Sequence, residues 1–430
     1  MIKKGLSIKS ICEYEEIPVS EFVNSNGKSC IGYFKRINRI SNVEFFKFFH
    51  DRIKATQYVG FVRAGNFCIE VYPKIFRDIE KNMEFLLYLL NYTDEIKLKN
   101  TGLGNLSDCN NSFFEVIIRI FAVNTLKLLK TDFKRDYVTK EEDINFIRGK
   151  IDIRKQIIND DLFRLRFNCR FDEFTENILL NQIIKACCLK LFSISHSSHN
   201  KKLLREILFL LGDIEIKDII LSDFDKIIFN RINENYGPII DLCRIFLNGK
   251  NVSFESGKFE TFVFMFDMNR LFEEFVFKFI KTHRKRILLN GIEIFGISEQ
   301  FFVGRLFNEF RMKADILIED IKGNSILIDT KYKVLTEEDS HNNINQSDIY
   351  QIFAYSQSQN KKFWEVILLY PLSDFYSYKS TERVLTHKVN KDEIIKLYIK
   401  MIDIRKIFDS QKVRIDTENM ISEVNKVLNN

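Results

Sequence analysis

Ala314-Asp315-Ile316-Leu317-Ile318 and Ile326-Leu327-Ile328-Asp329-Thr330-Lys331-Tyr332-Lys333 are two apolar, strand-like runs, and each carries a carboxylate that a hydrophobic core rejects. The segment between them, Asp320-Ile321-Lys322-Gly323-Asn324-Ser325, has turn chemistry, so the spacing predicts a β-hairpin. A hairpin centred near Lys322 sets Asp315 roughly opposite Asp329. Alternation along a strand puts Asp329 and Lys331 on one side. Two carboxylates brought together repel unless a cation lies between them, and hard oxygen ligands suit Mg²⁺. A lysine beside such a pair can orient or deprotonate a water, or stabilise charge growing on a phosphate. This is the arrangement that metal-assisted phosphodiester hydrolysis requires. Asp-x-Lys alone recurs by chance in a chain with 65 Lys+Arg and 59 Asp+Glu, where an exposed ion pair at a strand end would explain it. The apolar setting and the second carboxylate at hairpin distance are what point to a site.

The flanking segments extend the pattern. Asp348 to Tyr355 reads as the start of a helix with Ser347 or Asp348 as N-cap. Gln351 and Tyr355 are four apart and share a helical face, where they could hold a phosphate or a water. Phe363 to Pro371 reads as a buried strand ended by proline. Upstream, Phe262 to Ile280 reads as a helix whose apolar stripe is Met268, Leu271, Phe272, Phe275, Val276 and Phe279. Glu273 and Glu274 flank that stripe, and either could turn into a neighbouring site.

This order of elements resembles the PD-(D/E)xK nuclease superfamily and, within it, the McrC family, the nuclease subunits of McrBC-type modification-dependent restriction systems. The matching pieces are Met268-Asn269-Arg270-Leu271-Phe272-Glu273, Ala314-Asp315, Ile328 to Lys333, Gln351 to Tyr355 and Leu369-Tyr370-Pro371. Others lie upstream: Tyr58-Val59-Gly60, Ile69 to Ile75, Arg148-Gly149-Lys150-Ile151-Asp152, and Phe171-Asp172-Glu173-Phe174 with Asn177 and Asn181. They spread in order over residues 55 to 375. The resemblance implies that Asp315 is the first catalytic aspartate, that Asp329 and Lys331 form the (D/E)xK pair, and that Glu273 is the helix glutamate completing a Mg²⁺ site with Asp315 and Asp329. It also makes Gln351 and Tyr355 the accessory helix positions. Glu274 remains a competitor of Glu273. Ala314 stands where the family pattern has proline, a residue that shapes the strand and binds nothing.

The resemblance further implies an endonuclease subunit of a type IV, phage-defence restriction complex. Such a subunit is activated by a McrB-like AAA+ GTPase hexamer, stimulates its hydrolysis of GTP or ATP, and acts on double-stranded, methylated DNA. The N-terminal half would engage that partner, and the charged stretch from Thr131 to Lys155 is a candidate contact, or else a solvated connection. A non-cleaving adaptor that activates the motor, and a standalone repair nuclease, are the alternatives. The intact Asp and Asp-x-Lys set argues against the first, the upstream matches against the second.

A chain of 430 residues suits two or three domains. The expected fold is α+β and multidomain: a mixed, β-rich N-terminal region over 1–110, a helix-rich middle over 111–250, and a C-terminal α/β nuclease core over 255–430 with a mixed sheet flanked by helices. Met83 to Leu90, Phe113 to Leu129, Phe174 to Phe192, Lys202 to Leu211 and Ile239 to Leu247 read as helices. Thr101–Ser112 and Asn248–Lys258 read as breaks, His196 and His199 as part of a polar loop, and the tail from Lys391 to Asn430 as charged and helical. A net charge of +6 permits nucleic-acid binding without demanding it. His283-Arg284-Lys285-Arg286 suits either a helix C-terminus or a DNA phosphate. Eight cysteines with no C-x-x-C pair and six histidines without a metal-binding spacing make a zinc site unexpected. Buried free thiols in a reducing cytoplasm are the expectation. No apolar run is long enough to cross a bilayer. No P-loop motif is present, so this chain is not expected to hydrolyse nucleotides itself; the resemblance implies a separate AAA+ partner that does.

Overall fold

The computed structural model describes residues 7–22, 31–64, 67–93, 112–158, 166–248, 261–289, 291–307, 309–333, 344–356, 365–375, 382–390, 393–408 and 416–429. Among these, the chain forms eleven α-helices and four β-sheets, an α+β architecture with mixed pairing. It divides into two compact units: Met1–Lys97 with Phe254–Thr261 and Met265–Asn430, and Leu98–Ser253 with Phe262–Phe264. Residues 1–97 therefore pack in one unit with most of the C-terminal region. No described helix is long and apolar enough to cross a membrane.

The first unit is built around a seven-stranded sheet ordered Leu288–Leu289, Ile292–Leu306, Phe310–Asp320, Ser325–Thr330, Glu365–Pro371, Glu393–Ile402 and Glu382–Asn390. The first four strands pair antiparallel, Ser325–Thr330, Glu365–Pro371 and Glu393–Ile402 run parallel, and Glu382–Asn390 closes the far edge antiparallel. Continuous apolar runs such as Ile326-Leu327-Ile328 and Val366 to Leu369 suit strands covered on both faces, and all seven residues are buried. The helix Gln346–Ser356 lies between the first two parallel strands in sequence, as a parallel pairing requires. Its Ile352 and Tyr355 pack with Leu327, Val366, Leu368 and Tyr370.

The N-terminal part of this unit adds a sheet in which Phe67–Tyr72 pairs parallel with Ser7–Cys12 and antiparallel with Tyr58–Ala64. The helix Ile79–Tyr92 lays Tyr88 and Tyr92 edge-on to Phe275 of the helix Met268–His283, with centroids 5.9 and 5.4 Å apart.

The second unit is helical, with Phe113–Thr131, Leu179–Ile194, Ser198–Leu210 and Gly237–Asn248. Glu115 organises it: its buried carboxylate accepts from Ser195 Oγ at 2.7 Å, His196 N at 2.6 Å and Asn200 Nδ2 at 2.7 Å. From this bundle Asp136–Ile144, Lys150–Ile151 and Phe167–Thr175 form a solvent-facing antiparallel ribbon. The charged stretch from Thr131 to Lys155 thus contains ribbon strands, with cross-strand ion pairs such as Lys140–Glu173 at 2.5 Å.

Several expected boundaries move. Thr261–Asp267 is a strand and the helix starts only at Met268, because Asp267 caps it by accepting from Asn269 N. The helix predicted from Phe174 begins at Leu179, since Phe167–Thr175 belongs to the ribbon. His199 lies in a helix capped by Ser197. The tail is not wholly helical: Glu393–Ile402 is an interior strand of the large sheet, Ile404–Ile407 is a short 3-10 turn, and the α-helix among the tail's described residues is Thr417–Asn429. Residues 363–364, 101–111 and 249–258 lie outside the described residues. The described cysteines, Cys12, Cys68, Cys169, Cys187, Cys188 and Cys243, are free and buried.

Candidate active site

The hairpin forms as its turn chemistry requires. Gly323 takes φ +84°, and the Asp320 carboxylate accepts from Lys322 N at 2.8 Å and Asn324 N at 2.9 Å. The register Leu317↔Leu327 and Ile316↔Ile328 centres the hairpin on Lys322. One further step sets Asp315 across from Asp329. The Asp315 carboxylate accepts from Thr330 through both N and Oγ1, each at 2.8 Å, which pins the end of one strand to the other.

Asp329 is fully buried at the end of its strand. The Lys331 ammonium stands 2.7 Å from Asp329 Oδ2, yet no well-directed hydrogen bond from the described residues reaches that oxygen. Gln351 Nε2 donates to Asp329 Oδ1 at 3.4 Å, and Lys331 Nζ donates to Gln351 Oε1 at 3.2 Å. Gln351 also donates to Tyr355 OH at 2.6 Å, and that hydroxyl donates to the Lys313 carbonyl. Asp329, Lys331, Gln351 and Tyr355 therefore form one continuous network. Burial, then the Asp315 charge, pushes the Asp329 carboxyl up to about 7, with Lys331 pulling the other way. Burial works most strongly against the Lys331 ammonium, but the charge and contact of Asp329 together with the charges of Asp315 and Asp348 outweigh it, and the lysine is held above its ordinary value.

Glu273 approaches from the helix Met268–His283. It accepts from Gln300 Nε2 at 2.5 Å, and burial followed by the Asp315 charge raises its carboxyl. Glu274 instead pairs with Lys278 one turn along at 2.7 Å. Geometry thus favours Glu273 as the neighbour of Asp315. Both line a cleft of about 560 Å³ with Arg270, Lys281, Gln300 and Asp315. Asp315, Asp329 and Glu273 supply the hard oxygen donors here. Among the described residues no three carboxylate, imidazole or thiol side chains already converge as a metal-binding group, since Asp315 is turned onto Thr330 and Glu273 onto Gln300.

Neither Ser347 nor Asp348 caps the helix Gln346–Ser356. Asn345 Oδ1 accepts from Ser347 N at 3.1 Å, leaving Asp348 to accept from Lys333 Nζ at 2.8 Å and Tyr370 OH at 3.4 Å. Gln300, Thr330 and Tyr332 were not singled out by sequence. Thr330 could have been, lying between Asp329 and Lys331. Gln300 gives no local signal, because only the register of Ile292–Leu306 brings it to Asp315. Ala314, the departure from the family's proline, is fully buried in the core behind the site.

With this geometry in place, comparison with known proteins is informative. The sequence matches the family described as McrBC 5-methylcytosine restriction system component over residues 53–371. The chain belongs to this family. The type IV methyl-directed restriction enzyme EcoKMcrBC of Escherichia coli K12 is 22% identical over 313 residues, covering 68% of this chain and 86% of that relative. A solved half-complex of Thermococcus gammatolerans McrB AAA+ hexamers with bound McrC superposes with a TM-score of 0.74 at 18% identity, over 98% of this chain and 100% of that one. The cryo-EM structure of the Thermococcus gammatolerans McrBC complex gives 0.52 at 22% identity, over 64% and 87%. At these identities the structural likeness speaks to fold, and the family match extends through the proline-ended strand to Pro371.

Proposed function

We propose that this chain is the DNA endonuclease subunit of a type IV restriction complex, with Asp315, Asp329, Lys331 and Glu273 as its site and a PD-(D/E)xK arrangement in its C-terminal region. The observation that carries this reading is the hairpin register, which brings Asp315 across from Asp329 with Lys331 against the latter, inside a McrBC-family chain. Mg²⁺ fits these residues: a buried Asp329 oxygen has no directed donor among the described residues, while a second carboxylate stands across from it. Asp315, Asp329 and Glu273 would hold the ion, which when bound polarises a phosphate oxygen and acidifies a water. Lys331 orients that water and offsets charge developing on the phosphate. Gln351, tied to Asp329, Lys331 and Tyr355, holds the lysine in line, and Tyr355 fixes Gln351 to the neighbouring strand.

The relatives assemble with McrB AAA+ hexamers, and we propose the same class of partner here, hydrolysing GTP or ATP and working with this chain on methylated double-stranded DNA in the cytoplasm. The ribbon of the second unit supports this. It exposes Tyr137, Phe146, Ile147 and Phe174 amid charged neighbours, the mixture expected of a surface that docks another protein.

The test combines the chain with its AAA+ partner, methylated plasmid, Mg²⁺ and GTP or ATP. Nucleotide-dependent cutting is expected, with Asp329→Ala and Lys331→Ala each lowering it on the order of 10²–10³-fold or more while still stimulating nucleotide hydrolysis. Stimulated hydrolysis without cutting of methylated or unmethylated DNA would favour a non-cleaving adaptor. Strong sequence-specific cutting by the chain alone would favour an autonomous nuclease.

A further inference from the structure

The strand that carries Asp315 continues outward for four residues with a regular alternation. Met312 and Ala314 turn into the core with Val303 and Tyr355, so Arg311, Lys313 and Asp315 share the opposite face. Arg311 and Lys313 are exposed there, and Asp315 opens into the cleft beside Glu273 and Gln300. The partner strand reinforces this charge. The register sets Arg305 directly across from Arg311 and Phe302 across from Lys313, with a bulge at Val303 between them. The Arg311 guanidinium lies over the Phe302 ring, 5.3 Å from its centroid, which fixes both side chains on the one face.

Like charges directly opposite on paired strands destabilise a sheet. Two arginines directly opposite, with a lysine two residues along, concentrate positive charge on one face and suit an anion. The face also carries its own exposed aromatic surface in Phe302, the pairing of cations and rings that suits nucleic acid.

We propose that Arg305, Arg311 and Lys313 form a phosphate track that holds the DNA backbone as it runs toward Asp315. The inference rests on the reading of Asp315 as part of a DNA-cutting site. From Arg311 to Asp315 the strand rises about 14 Å, the axial rise of roughly four nucleotides of one strand. A backbone laid along the row thus meets three cations before reaching the carboxylates. Such contacts position DNA without reading its sequence, which suits a subunit whose target choice lies elsewhere.

The experiment measures binding of a fluorescent, unmethylated duplex to the full chain in EDTA, so that nothing is cut, across a range of salt. The proposal expects Arg305→Ser/Arg311→Ser to weaken binding at least tenfold at low salt and to lower the salt slope by about 1.8, with methylated and unmethylated duplexes affected alike. Arg311→Lys should keep most of the affinity, which separates lost charge from lost folding. A wild-type chain that does not bind, or a double variant with unchanged affinity and slope, would overturn the track. So would a variant that binds DNA normally but no longer associates with the AAA+ partner, since the face would then be a protein contact. The nuclease reading fails separately, if wild type binds the duplex yet never cuts with partner, nucleotide and Mg²⁺ supplied.

Discussion

Asp329 carries a measurable signature of its setting. Its carboxyl rises from an ordinary value of 3.8 to about 7 because it is buried and faces Asp315. The protonated form is thus the one the metal-free fold favours. Below about pH 4 the group is protonated in folded and unfolded chains alike, and its contribution to stability is complete. As pH rises toward 7 the unfolded chain ionises first, and stability declines. In EDTA the wild type should lose stability between these limits, and Asp329→Asn should flatten that part of the profile in denaturant titrations at several pH values. An equally steep decline in the variant would show that Asp329 is not the group responsible. If Asp329 holds Mg²⁺ as proposed, the ion requires the ionised form, so its stabilising effect should grow over the same interval and vanish in Asp329→Asn.

Elements were legible where one period dominated. The Asp315–Asp329 hairpin could be read because turn residues fix its centre, and the register of Ile316↔Ile328 agrees with a centre at Lys322. Thr261–Asp267 was absorbed into the following helix because Phe262 to Met265 is uniformly apolar, a run that fits either period. Glu393–Ile402 does not show as a strand for a similar reason: Glu393-Ile394-Ile395-Lys396-Leu397 also fits a helical stripe, and pairing with Glu382–Asn390 on one side and Glu365–Pro371 on the other makes it a strand. The ribbon holds a less obvious constraint. Gly149 adopts φ +70°, and a Cβ there would come within 2.4 Å of the Arg170 carbonyl oxygen and 2.8 Å of Phe171 Cβ. Next to it the Arg148 guanidinium lies 4.2 Å from the Phe171 ring centroid. Gly149→Ala must therefore strain the backbone and push the strands apart, at a cost of about 1–3 kcal/mol. Hydrogen exchange should show faster exchange across Phe167–Thr175, while the large sheet of the first unit stays protected. Unchanged protection in the ribbon would mean that the strands yield without loss.

At the scale of the first unit, a contact spanning 319 residues joins its N-terminal and C-terminal parts. Tyr332, next to Lys331, donates to Glu13 Oε1 at 2.7 Å, and Lys74 N donates to the same oxygen at 2.8 Å. Both side chains are buried, and Tyr332 also packs on Phe272, one residue before Glu273. No local pattern announces this pair, since neither residue has a sequence neighbour that needs it. Burial pushes the Glu13 carboxyl up to about 8 despite these donors, and Glu13 Oε2 has no hydrogen-bond partner among the described residues. Its contribution is therefore complete below its ordinary value of 4.5 and is lost as pH rises through about 8. Glu13→Gln keeps an acceptor for Tyr332 and removes the ionisation, so its stability relative to wild type should improve steadily from pH 6 to pH 9. Tyr332→Phe, which strips a donor from a buried carboxyl, should cost about 1–3 kcal/mol. Because it loosens the residue beside Lys331, it should also slow DNA cutting, while nucleotide hydrolysis by the AAA+ partner stays stimulated. Chemical denaturation of both variants at the two pH values, beside cleavage and hydrolysis assays, separates these effects. A Glu13→Gln variant whose stability difference from wild type does not change with pH would show that the N-terminal part does not hold the segment after Ser325–Thr330 through this carboxyl.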